Sequence, residues 1–163
     1  MKKLLLFAAI SLYALTSFAQ VSVSSGNPNL DVKVKRSFAF GSDVAIDLIV
    51  TSNTDWETIC FGVIMGSKIG VIIYDDEGNM YDNEFEVRKY NGSRIWFESD
   101  GEQSYEARIV RVSRNIQRKV RMIIKDVDEY ASSFSQITIG YCGNNNSKYA
   151  GKIIIKNLPI ARN

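Results

Sequence analysis

Apolar residues in this chain recur at every second position, and that rhythm constrains the fold more than any other feature. Val44, Ile46, Leu48 and Val50 share one face, with Asp47 and Thr51 on the other, the period of a half-buried strand. Val32, Val34, Phe38 and Phe40 alternate in the same way with Lys33, Lys35, Ser37 and Ala39. Further β-rich runs follow at Thr58–Met65, Lys68–Tyr74, Phe85–Tyr90, Arg94–Glu98, Tyr105–Val112, Lys119–Lys125, Gln136–Tyr141 and Lys152–Lys156. Turn signals separate them: Gly41-Ser42-Asp43, Asp76-Glu77-Gly78-Asn79, Asn91-Gly92, Asp100-Gly101 and Gly143-Asn144-Asn145-Asn146, rich in residues that tolerate positive φ. About ten short strands with such punctuation predict an antiparallel β-sandwich or barrel. After residue 28 the only proline is Pro159, so few ladders are interrupted. One short helical turn is expected near 128–134, with Asp126 or Asp128 capping its first amides. Lys152–Lys156 sets three isoleucines between lysines, which reads as an inner strand or one covered on both faces.

The first nineteen residues follow a different rule. Lys2 and Lys3, the apolar run Leu4–Leu15 and the small residues around Ser17-Phe18-Ala19 form an export signal with cleavage before Gln20. The run is too short to span a bilayer. Removing 19 of 163 residues leaves 144, a natural size for one domain. The expected organisation is therefore a signal peptide at 1–19, a mobile Ser/Gly/Asn-rich leader at 20–30, and a single β-sandwich at 31–163. Localisation is expected to be periplasmic or secreted, with no membrane insertion after cleavage. The signal holds two of the 20 basic residues, so the mature chain balances 18 bases against 18 acids. That balance speaks against general affinity for nucleic acid.

Four segments carry a resemblance: VAIDLIVTSNT (44–54), YDDEGNMYD (74–82), KVRMIIKDVDEYASSFSQITI (119–139) and KIIIKNLPI (152–160). In these the chain resembles uncharacterised small secreted proteins of Bacteroidetes-type bacteria, and the resemblance implies an immunoglobulin-like β-sandwich without catalytic residues. The chain departs from true immunoglobulin domains because Trp56 precedes Cys60, whereas the conserved tryptophan of those domains follows the first cysteine.

The chemistry available is narrow. No histidine is present, which removes Ser-His-Asp and Cys-His nucleophilic systems and most zinc sites. Neither cysteine lies in a C-x-x-C motif and no phosphate-cradling glycine loop occurs. We expect no cofactor and no enzyme activity. Paired carboxylates could still hydrolyse glycosides, but none of the 18 acids stands out as a pair. Asp75, Asp76, Glu77, Asn79 and Asp82 could hold calcium through hard oxygen ligands. They lack EF-hand spacing, and a hairpin turn at Glu77-Gly78-Asn79 is the expected reading. Six bases between Arg108 and Arg121, with no acid among them, read as a solvated hairpin facing water or the acidic stretch Asp75–Glu86. A polyanion-binding stripe is the alternative.

Two site expectations remain. Cys60 and Cys142 can be bridged or can be two buried thiols. In Arg94-Ile95-Trp96-Phe97-Glu98, inward Ile95 and Phe97 would display Trp96 between Arg94 and Glu98, with Tyr90 and Tyr105 extending the surface. Trp56 is expected to close one end of the sandwich. The expected function is binding of a protein or cell-envelope component through a sheet face or edge. The alternative is a carbohydrate-binding module that uses the exposed aromatic face.

Overall fold

The structure is a computed structural model that describes residues 20–54, 58–62, 70–82, 95–99, 109–143 and 146–162. The signal, Trp56, the Asn91-Gly92 hairpin, Tyr90, Arg94 and Tyr105 lie outside the described residues. Eleven strands form two antiparallel sheets, and no helix occurs among the described residues. They are β1 (Ser22–Ser24), β2 (Leu30–Phe40), β3 (Asp43–Ser52), β4 (Thr58–Phe61), β5 (Val71–Asp75), β6 (Met80–Asp82), β7 (Ile95–Ser99), β8 (Ile109–Arg111), β9 (Arg118–Ile124), β10 (Ser133–Gly143) and β11 (Asn146–Pro159).

One sheet has the order β2-β3-β9-β7. The other runs β1-β11-β10-β4-β8, with β5 also on β10 and β6 on β5. Strands β4 and β5 follow one another along β10: Cys60 and Phe61 face Cys142 and Tyr141, and Val71 to Asp75 face Ile139 to Phe134. They act as one interrupted strand. Lettered A to G in chain order, β2-β3-β9-β7 matches the A-B-E-D sheet of an immunoglobulin sandwich, and β11-β10-β4/β5 matches G-F-C. The immunoglobulin-like sandwich is the fold.

Alternation supplies the core. Val44, Ile46, Leu48 and Val50 from β3 meet Ile137, Ile139, Ile153 and Ile155 from the opposite sheet, all fully buried in one cluster. Phe61 stacks on Phe97 with ring centroids 5.7 Å apart, and Tyr81 meets Phe134 edge-on at 6.4 Å. Strand β11 is an inner strand between β10 and β1, so its isoleucine run is protected at 154–156 by Ser22–Ser24. Residues 20–30, expected as a leader, are instead tied to the sandwich by that pairing. The Ser25 carbonyl also accepts a hydrogen bond from the Tyr141 hydroxyl at 3.1 Å. The chain can be anchored here because β11 otherwise leaves an unpaired edge to which a short strand adds.

The acidic segment is a hairpin. Strands β5 and β6 pair around Asp76–Asn79, with Gly78 at φ 89° supplying the positive dihedral. Asp75 accepts hydrogen bonds from the Asn79 amide (2.8 Å), the Asn79 side chain (3.0 Å) and the Tyr81 hydroxyl (2.7 Å). Asp76 accepts the amides of Ser132 and Ser133 at 3.0 and 3.1 Å. These carboxylates therefore stitch the hairpin to the turn at 128–131. A turn stands where a short helical one was expected over 128–134, but it is not helical, since Ser133 and Phe134 already belong to β10, and Asp128 caps the Tyr130 amide at 2.9 Å.

Cys60 and Cys142 are directly opposed in the β4–β10 ladder and are both buried, unbridged thiols. They belong to one sheet, unlike the between-sheet cysteines of antibody domains. Opposed residues in an antiparallel pair have Cα atoms about 4.5–5.5 Å apart, within the span of a disulfide. Burial pushes the Cys142 thiol upward, against a hydrogen bond with Cys60, so exchange will be slow. Incubation with oxidised glutathione is expected to join them and close a loop of about 80 residues, adding up to about 4 kcal/mol. Alkylation and mass spectrometry check this: two adducts before oxidation and none after. Persistence of both adducts would show that the ladder cannot accommodate the bridge.

Candidate functional site

The β2 strand departs from simple alternation, and the departure builds a surface. Val34 faces Leu48 while Arg36 faces Asp47, so one extra residue, Lys35, bulges between them. Lys35 and Arg36 are consequently both exposed, and the phase reverses beyond them. Ser37 and Ala39 turn toward the core, whereas Phe38 and Phe40 turn outward. The expectation that these phenylalanines join Val32 and Val34 on the inner face is therefore corrected. The reversal has a local cost: the buried Ser37 hydroxyl finds no hydrogen-bond partner among the described residues.

Strand pairing then aligns the outer face of the four-stranded sheet into rows. Phe38, Ala45, Ile123 and Trp96 form one row across β2-β3-β9-β7. Arg36, Asp47, Arg121 and Glu98 form the next, and Lys33, Ile49 and Lys119 a third. Ala45 and Ile123 point outward yet are only 1% and 6% exposed, so the aromatic row is packed, not merely displayed.

Trp96 has the orientation read from its strand: Ile95 and Phe97 are buried and Trp96 is half-buried on the opposite face. Among the described residues the cation over its ring is Lys125, with Nζ 4.8 Å from the centroid, and the Trp96 indole N–H reaches Glu98 at 3.5 Å. Phe38 carries Arg36 at 4.8 Å and Arg121 at 5.6 Å. The rings thus hold guanidinium and ammonium groups in place instead of standing open as plates.

Asp47 organises the charged row. Arg36 Nε donates to Oδ2 at 2.5 Å, Arg121 Nε to Oδ1 at 2.6 Å and Arg121 Nη2 to Oδ2 at 3.2 Å. Burial acts to raise the Asp47 carboxyl, but the hydrogen bonds from Arg121 and Arg36 outweigh it and hold it below its ordinary value. Arg121 is raised reciprocally, first by its hydrogen bond to Asp47. The partner of Arg121 is thus Asp47. Beside this row lies an open groove of about 380 Å³ lined by Lys35, Asp47, Ile49, Glu98, Lys119 and Arg121.

Of the sequence-derived candidates, Trp96 and Glu98 come together on this face, while Cys60 and Cys142 lie in the other sheet. Phe38, Phe40, Arg36, Asp47 and Lys125 were not singled out as site residues, and Arg121 was read only as one of the six bases between Arg108 and Arg121. Their assembly depends on the β2 bulge and on register, which pair β2 with β3 and β3 with β9. Among the described residues no group of three or more Cys, Asp or Glu side chains could hold a metal ion, and Asp75 and Asp76 of the hairpin face amide and hydroxyl donors. Fold and face together define an immunoglobulin-like sandwich with an aromatic and cationic outer sheet surface. No protein-family model matches the chain, and no curated protein matches it.

Proposed function

We propose that this protein is an exported, non-catalytic binding module that meets a protein or cell-envelope component through the outer face of β2-β3-β9-β7. The observation that carries the reading is the phase reversal in β2. It brings Phe38 and Phe40 to a face where simple alternation would place small residues, and Phe40 is left 46% exposed. Aromatic and arginine side chains are the groups that most often anchor protein contacts. Export through residues 1–19 to the periplasm or beyond, with a mature terminus at Gln20, belongs to the same proposal. So does the resemblance to small secreted Bacteroidetes-type proteins.

The carbohydrate reading gains no observation of its own, because Trp96 and Phe38 each already carry a cation on the ring. A photo-crosslinker at position 40 in intact cells tests the proposal against one at position 156, an exposed site on the other sheet. The expected result is a discrete adduct from position 40 alone. Equal adducts from both positions, or none from position 40, would remove this face from the reading.

A further inference from the structure

The geometry points to the groove over Ile49 as a receptor for an acidic, extended peptide segment of the partner, an inference that rests on the binding reading above. Ile49 on β3 forms a half-buried aliphatic floor. Lys35 rises from β2 on one side and Lys119 from β9 on the other, while Lys33, next to Ile49 in the ladder, is held by Asp31 at 3.2 Å. Two strand spacings separate those walls by about 9.5 Å, room for a single extended chain lying along β3. Side chains of such a chain alternate left and right, so acids at successive positions reach the two walls in turn.

The charges of the groove are unequally committed. Asp47 is held by Arg36 and Arg121. Lys35 and Lys119 form no ion pair among the described residues, which leaves two ammonium groups, each with three donors, facing the groove. A carboxylate accepts charge-assisted hydrogen bonds from such groups, and an aliphatic neighbour on the peptide covers Ile49. A basic segment would meet the lysines as like charges. A sugar chain would leave the aliphatic floor against polar hydroxyls. An acidic peptide satisfies both floor and walls.

The probe is a fluorescein-labelled dodecapeptide of repeating Glu-Glu-Leu, a Glu-Leu peptide in which successive acids fall on opposite sides of the extended chain, followed by anisotropy with the mature protein. Its Gln-Leu counterpart and polygalacturonate serve as competitors. Binding should weaken as salt screens the exposed charges, and Lys35→Glu and Lys119→Glu should each raise Kd by about tenfold. Both lysines are exposed, so thermal melts of these variants should match the parent and separate a binding defect from misfolding. Equal competition by Gln-Leu would overturn the charge reading, and stronger competition by polygalacturonate would overturn the peptide. No binding of the Glu-Leu probe would overturn the inference as a whole. Each of these failures leaves the position-40 adduct untouched, so loss of this inference and loss of the binding face are distinguishable.

Discussion

Replacing Asp75 with alanine is expected to lower the free energy of unfolding by about 3 kcal/mol, or roughly 10 °C in midpoint for a chain of this size. The carboxylate is 2% exposed, and its loss strands the Tyr81 hydroxyl and two Asn79 donors. Tyr81 is itself 3% exposed and accepts the Asp128 amide at 3.1 Å, so the damage extends to the turn at 128–131. The pH dependence has a definite sign. Burial works to raise Asp75, but donors from Asn79, Tyr81 and Glu77 outweigh it, and the carboxyl titrates below its ordinary value. Its contribution is therefore complete above the unfolded value near 4 and disappears as pH falls through the lower folded value. The parent should exceed Asp75→Asn in midpoint at neutral pH, and the gap should close in acid. Burial pushes the Tyr81 phenol up to about 12, so its share persists to about pH 10 and is lost toward pH 12. Thermal melts across pH measure both limbs. A constant difference between parent and Asp75→Asn would exclude the charged carboxylate as the stabilising species.

Gly151→Val is expected to cost about 3 kcal/mol, at the upper end of the range for overpacking. Gly151 and Tyr141 are cross-strand partners in the β10–β11 ladder. A Cβ at 151 would stand 2.5 Å from the Tyr141 hydroxyl oxygen and 2.7 Å from Cζ. The ring cannot simply swing away, because Tyr141 is fully buried and its hydroxyl is bonded to Ser25. A double-mutant cycle isolates the cause. In a Tyr141→Ala background the same substitution should lose most of its penalty, since the new methyl groups enter the vacated space. Additive denaturation free energies across that cycle would contradict the steric account.

How far the sequence reaches is clear from particular elements. Three isoleucines between lysines suffice to place β11 inside a sheet, because such a run at an open edge would aggregate. Gly78 among acids suffices for the β5–β6 turn, and the charged ends of β7 suffice to point Trp96 outward. Strand β2 marks the limit. Val-Lys-Val-Lys-Arg-Ser-Phe-Ala-Phe carries no glycine or proline to announce a bulge, and either phase of Phe38 satisfies local alternation. The choice is made by β3, which offers Asp47 to Arg36 and Arg121. The partner of Trp96 was likewise hidden, since Lys125 is distant from it along the chain and close only across the β7–β9 ladder.

By itself the sequence determined an all-β sandwich, its hairpin turns and the absence of histidine chemistry, because periodicity, turn residues and composition act locally. Tertiary structure alone decided which residues share the outer sheet face, that Cys60 and Cys142 stand opposite one another, and that residues 22–24 close an edge. Those outcomes depend on register between strands far apart in sequence, and a one-residue slip reverses every side chain beyond it.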